Sequence, residues 1–145
     1  AFVADPAKGV MGSYDAIRTY LWAGMTDAGD PLRRKLLDAL SGPLQMLRTQ
    51  GRFAEKIDTR NGVGSGTPPP GFAAALLPYL TAQAQPALVK TQAALVPSSG
   101  PAAAALTYYD RCLVLFGKGW LDRRYRFSAD GRLQPAWSTQ CSARR

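Results

Sequence analysis

The sequence predicts an all-α fold with a minor β-hairpin element, and three observations carry that reading. Leucine, alanine and aromatic residues recur at helical spacing along much of the chain, as in IRTYLWAGM and LLDAL. Proline and glycine stand where helices begin and end, at Pro31, Gly42-Pro43, Pro86 and Gly100-Pro101. Near the end, YRFSADGRLQPAW instead alternates around the turn pair Asp130-Gly131. With 145 residues, 46% of them apolar and 19% charged, the chain can form a single unit with its own core.

Each element follows from local chemistry. Asp5-Pro6 and two nearby glycines make the first dozen residues irregular. Ser13 is a candidate cap for a first helix over 14–26, with Ile17, Tyr20, Leu21 and Gly24 at helical spacing. Asp30 as cap and Pro31 in the first turn start a second helix, whose buried stripe is Leu32, Leu36, Leu37 and Leu40. Gly42-Pro43 ends it, and 44–49 is a further short helix.

The pattern then changes. Residues 53–59 alternate weakly before an Asn61-Gly62 turn, and GVGSGTPPPG is loop by composition. That run is not a phosphate cradle, because no Lys-Ser/Thr follows it. It reads as a surface loop bordering a cleft. Helices are predicted over 72–83, 86–95 and 102–116, with Gly117-Lys118-Gly119 stopping the last. About five or six helices in antiparallel pairs, joined by loops rich in glycine and proline, suggest hairpins arranged around a groove.

Composition excludes several chemistries. There is no histidine, which removes Ser-His-Asp and Cys-His catalysis and most zinc sites from this chain. Cys112 and Cys141 are too few for a metal cluster, and whether they pair is left open. The net charge of +8 gathers at Arg33-Arg34-Lys35, at Arg123, Arg124 and Arg126, and at Arg144-Arg145. No nucleic-acid motif accompanies it, so solvated helix faces are the plainer reading. The longest apolar run, GFAAALLPYL, is interrupted by Pro78 and is far short of the roughly 18 residues of a membrane span. The first residues lack the basic start and apolar middle of a signal peptide.

The acids are nine aspartates and one glutamate, Glu55. Paired carboxylates are the natural catalyst of glycoside hydrolysis, one protonating the leaving oxygen and the other activating water or attacking the sugar. Asp15 suits the ionised member. At a helix start the dipole favours an anion, Arg18 lies three residues on, and Tyr14 offers a phenol for a water or a sugar hydroxyl. Local pattern alone leaves the plainer alternative standing, a surface Asp-Arg pair that stabilises the helix. Sugar rings also stack on aromatic faces. Trp22, Phe72, Tyr79, Trp120 and Trp137 are available, and Phe72, just after the Gly/Pro loop, is the preferred subsite candidate.

GSYDAIRTYLWAGM at 12–25 resembles the signature of glycoside hydrolase family 8. GFAAALLPYL at 71–80 resembles a late helix of that family. YYDRCLVLFGKGWLDRRYRFSADGRLQPAW at 108–137 resembles its carboxyl-terminal end, including a Phe-Gly-x-Gly-Trp turn at 116–120. The three segments are collinear and span most of the chain. Within the family, the likeness is nearest to the periplasmic endo-β-1,4-glucanases of bacterial cellulose synthesis.

The resemblance implies the carboxyl-terminal part of an (α/α)6 barrel that cuts β-1,4-glucan with inversion. It implies Asp15 as the general base, with Tyr14 and Arg18 holding the base and its water. An inverting pair of carboxylates stands about 6.5–9.5 Å apart to admit that water. The family's general acid is a glutamate in the amino-terminal half, whereas Glu55 follows Asp15. The acid is therefore expected from outside these residues, and the 145 residues are read as the carboxyl-terminal portion of a longer enzyme.

Implied partners are the β-1,4-glucan substrate, the amino-terminal half of the same enzyme and the cellulose synthase complex. A periplasmic or secreted location goes with them, and no cofactor, metal, nucleic acid or membrane span is implied. One rival is a non-catalytic glucan-binding or assembly protein of the cellulose export apparatus. Another is a basic helical module for nucleic acid or a membrane surface, which predicts steeply salt-dependent binding.

Overall fold

A computed structural model describes residues 6–7 and 9–137. Its elements in chain order are β1 (Met11–Gly12), α1 (Ile17–Met25), α2 (Arg33–Ala39), α3 (Gly42–Gln50), β2 (Lys56–Asp58), β3 (Val63–Ser65), α4 (Pro70–Ala82), α5 (Pro86–Ala94), α6 (Gly100–Ala104), α7 (Tyr108–Leu121), β4 (Tyr125–Phe127) and β5 (Leu133–Pro135). The described chain is helix-rich, with two small antiparallel sheets of order β1-β2-β3 and β4-β5.

The organising element is α4. Every residue from Gly71 to Leu80 is buried, so this stretch of the helix has no solvent face. An apolar helix of that kind is stable only when sheathed on all sides. Helices α1 and α7 pack against it, and glycine sets how close they come. A Cβ on Gly24 would lie 2.1 Å from the Tyr79 amide nitrogen, and one on Gly117 would lie 2.0 Å from the Ala74 carbonyl oxygen. Only a residue without a side chain permits such backbone contact. Ile17 and Leu21 of α1, Leu76, Tyr79 and Leu80 of α4, and Leu113 and Trp120 of α7 fill the remaining core.

Several expectations are corrected. Helix α1 begins at Ile17, and residues 14–16 form turns before it. Ser13 does not cap with its side chain; its carbonyl accepts from Ile17 N, and its hydroxyl donates to the Glu55 carbonyl at 2.7 Å. Asp30 accepts from the Leu32 amide at 2.7 Å, but the regular helix starts only at Arg33. The leucine stripe of α2 is narrower than its spacing suggests. Leu37 is buried, Leu40 half-buried, and Leu32 and Leu36 are 66% and 38% exposed. A seven-residue helix lying at the edge of the core presents only one turn to it.

Gly42-Pro43 opens α3 rather than merely closing α2, because proline needs no amide partner in a first turn. Val63–Ser65 is a strand inside the run read as loop; it pairs with β2 across a turn at Gly62, whose φ is +72°. The span 102–116 splits into α6 and α7, with Thr107 capping α7. Gly117 and Gly119 lie inside α7, which runs to Leu121, so the predicted stop and the Phe-Gly-x-Gly-Trp turn are helix. Gly117 is there for the approach to α4, and both glycines keep helical backbone.

The terminal hairpin forms as its alternation predicts. Tyr125 pairs with Pro135 and Phe127 with Leu133, with Gly131 at φ +80°. It is pinned to α7: Tyr125 Oη donates to the Phe116 carbonyl at 2.8 Å, and the Arg126 guanidinium lies 4.2 Å over the Trp120 ring. Cys112 is half-buried, and Cys141, Arg144 and Arg145 lie outside the described residues.

Candidate active site at the mouth of α1

Strand β1 runs beside β2, with Met11 opposite Asp58 and Gly12 opposite Ile57. The Thr59 amide and hydroxyl both donate to the Val10 carbonyl, at 2.9 and 2.7 Å. The chain therefore leaves a fixed sheet edge at Gly12 and enters α1 at Ile17. The intervening turn, 13–16, carries Tyr14 and Asp15 into solvent.

Asp15 and Arg18 face each other. Arg18 Nη2 donates to Asp15 Oδ1 at 2.6 Å, with both side chains about half exposed, 55% for Asp15 and 50% for Arg18. Such a pair adds little to folding stability, since solvent screens it. What it supplies is a positive charge against one oxygen of the carboxylate.

Tyr14 is held from three directions. Its ring meets Phe72 edge-on, centroids 5.1 Å apart, and Tyr109 at 5.7 Å. Its carbonyl accepts a hydrogen bond from Tyr109 Oη of α7. Its hydroxyl donates to Glu55 Oε1 at 3.2 Å. Desolvation, followed by the negative charge of Glu55 and the hydrogen bond to it, raises the Tyr14 phenol above its usual pKa. The proton therefore stays on Tyr14, directed at Glu55. Burial raises the Tyr109 phenol in the same way, against the opposing pull of Arg18.

Phe72 is placed differently from the expectation. It is 1% exposed and packs between Tyr14 and Phe53. A sugar-stacking platform needs an open face, so Phe72 supports Tyr14 from beneath rather than offering a ring to solvent. Tyr79 and Trp120 are likewise buried, while Trp22 and Trp137 are 44% and 59% exposed. Trp22 lines a cleft of about 260 Å³ with Asp27, Asp30, Phe127 and Ser128, at the far end of α1 from Asp15.

Sequence reasoning missed Tyr109 and Asp110, and it weighed Glu55 only as a proton donor. Tyr109 and Glu55 touch Tyr14 from 95 and 41 residues away, separations that leave no periodic trace. Asp110, 4% exposed, accepts from the Gly71 amide at 3.0 Å and from the Thr107 hydroxyl at 2.6 Å. It ties the start of α7 to the start of α4 beneath the site. The Thr-x-x-Asp spacing at 107–110 is the signal that could have found it. Among the described residues no group of three histidine, cysteine or acidic side chains is placed to hold a metal ion. None of their helices is long and apolar enough to cross a membrane.

The chain matches no family model. Its relatives are endoglucanases. Over 143 residues it is 63% identical to the endoglucanase of Xanthomonas axonopodis pv. citri (strain 306), a match covering 98% of this chain and 37% of that relative. Over 157 residues it is 38% identical to the endoglucanase of Pseudomonas fluorescens (strain SBW25), covering 99% of this chain and 39% of the relative. The fold is similar to that of the crystal structure of endo-1,4-D-glucanase from Vibrio fischeri ES114, with a TM-score of 0.76 and 30% identity over 95% of this chain and 40% of that one. The chain thus spans well under half the length of the endoglucanases it matches.

Proposed function

We propose that this chain is the base-bearing part of an inverting endo-1,4-β-glucanase of the glycoside hydrolase family 8 type. The observation that carries the reading is the Asp15–Arg18 pair, held at 2.6 Å on an exposed turn next to the braced Tyr14. Its sequence relatives, named endoglucanases, supply the substrate class.

In this reading Asp15 accepts the proton of a water that attacks the anomeric carbon, while an acid outside this chain protonates the leaving glucan oxygen. Arg18 keeps the carboxylate oriented and offsets its charge. Tyr14, its own proton committed to Glu55, offers oxygen lone pairs to the water or to a sugar hydroxyl. The mount is rigid where precision is needed, since the turn is anchored by the β1–β2 ladder on one side and by α1 on the other. The amino-terminal half of the enzyme completes the groove and brings the acid. Work on cellulose made for export, in the periplasm or outside the cell, follows from the family resemblance.

The test uses the protein as its gene encodes it, with soluble cellulose as substrate. Asp15→Asn keeps the shape and removes the base. Reducing-end release is expected to fall about 10²–10⁴-fold, and the wild type is expected to release α-anomers first by NMR. Near wild-type turnover in Asp15→Asn would sink the assignment.

A further inference from the structure

Glu55 has two separate attachments to the turn that carries Asp15. Its backbone carbonyl accepts from Ser13 Oγ at 2.7 Å, and its carboxylate Oε1 accepts from Tyr14 Oη at 3.2 Å. The hairpin makes room for that carboxylate. Gly66 has φ +76°, and a Cβ built on it would lie 2.6 Å from Glu55 Oε2 and 3.0 Å from Glu55 Cβ. Any side chain at 66 would displace the glutamate. The β2–β3 hairpin thus carries Glu55 on its leading edge and keeps its own trailing edge bare.

The consequence lies in the direction of one proton. A phenol has one donor and two lone pairs. A free Tyr14 rotates its hydroxyl and donates or accepts according to its neighbour. With Glu55 accepting, the donor is used and the lone pairs are what remain for solvent. With Phe72 and Tyr109 fixing the ring, the acceptor is fixed in place as well as in polarity.

We infer that Glu55 is a positioning residue, one that locks the Tyr14 hydroxyl as a hydrogen-bond acceptor facing the glucan and its attacking water. The inference rests on the function proposed above and adds a residue to it. It also gives the chain's only glutamate a role other than proton transfer to the leaving group.

The experiment compares Glu55→Gln, Glu55→Ala and Tyr14→Phe, with Asp15→Asn alongside, in the gene-encoded protein. Glutamine keeps a carbonyl acceptor and loses the acid. Glu55→Gln is expected to hold kcat/KM within about threefold, and Glu55→Ala to lower it about tenfold. Added to Tyr14→Phe, Glu55→Ala is expected to cost less than a further twofold, because the two residues act as a unit. A second readout needs no turnover: the Tyr14 ¹³Cζ resonance is expected to move in Glu55→Ala and stay in Glu55→Gln.

Equal, deep losses in Glu55→Gln and Glu55→Ala would overturn the inference, since they mean that Glu55 moves a proton. Losses that multiply with Tyr14→Phe, or an unmoved Tyr14 resonance, would overturn it too. If Asp15→Asn stays active, the base assignment fails, and the Tyr14 resonance still decides whether Glu55 holds the phenol.

Discussion

The Cα of Gly117 sits against the carbonyl of Ala74, so close that a Cβ there would lie 2.0 Å from the oxygen. Ala74 is four residues before Pro78, which has no amide hydrogen to donate to it. One helix thus leaves a carbonyl without its helical donor, and the neighbouring helix covers it with the only residue slim enough. A Cα–H to carbonyl contact is the weak bond that fits there. Close backbone contact through a glycine recurs between α1 and α4, where Gly24 meets the backbone at Pro78 and Tyr79.

Gly117→Ala is therefore expected to destabilise the protein by about 3 kcal/mol or more, because the clash is with backbone rather than with a movable side chain. Gly42, with nothing within 4 Å of its added Cβ, is the control. Gly42→Ala should stay within about 0.5 kcal/mol of the wild type. Chemical denaturation of the two variants, compared at equal m-value, checks the pair.

Asp110 is a buried carboxylate whose partners are an amide and a hydroxyl rather than a cation. Asp110→Ala leaves the Gly71 amide unsatisfied and is expected to cost about 2–3 kcal/mol. Asp110→Asn retains an acceptor for Gly71 and should cost about 1 kcal/mol. Amide hydrogen exchange at Gly71 and Phe72 gives a local reading of the same loss.

Phe72 separates support from substrate contact. Phe72→Leu is expected to lower stability by about 1–2 kcal/mol through altered packing, while KM for soluble cellulose stays within twofold. A KM increase of tenfold at unchanged stability would restore Phe72 as a stacking subsite.

Tyr125 gives a pH signature. Burial pushes its phenol up to about 12, from a model-peptide value of 10.0. The folded state prefers the neutral phenol, which donates to the Phe116 carbonyl. The stabilisation is complete below pH 10 and is lost as pH rises towards 12. Tyr125→Phe should remove this dependence, seen as a flatter stability profile between those limits and as loss of the latest step in a phenolate absorbance titration.

Much of the helix pattern was legible because amphipathic spacing and proline are local signals. The α4 run and the Asp130-Gly131 hairpin needed only their own neighbours. The glycines of α7 were misread for the same reason. A glycine pair after an apolar run looks like a helix stop until another backbone is known to lie against it. The leucines of α2 failed in the opposite sense: their spacing is helical, but spacing cannot say how much core lies opposite.

At the candidate site, the meeting of Asp15 and Arg18 beside Tyr14 is legible along the chain, because an aspartate and an arginine three residues apart can meet across a single turn. Tertiary structure decided what surrounds them. Glu55 and Tyr109 reach Tyr14 only after the β2–β3 hairpin and α7 fold around α4, and that same packing turns Phe72 from a candidate surface into a buried support. Neighbours in sequence fix which groups are near one another along the chain. Only close packing around a fully buried helix fixes which of them face water.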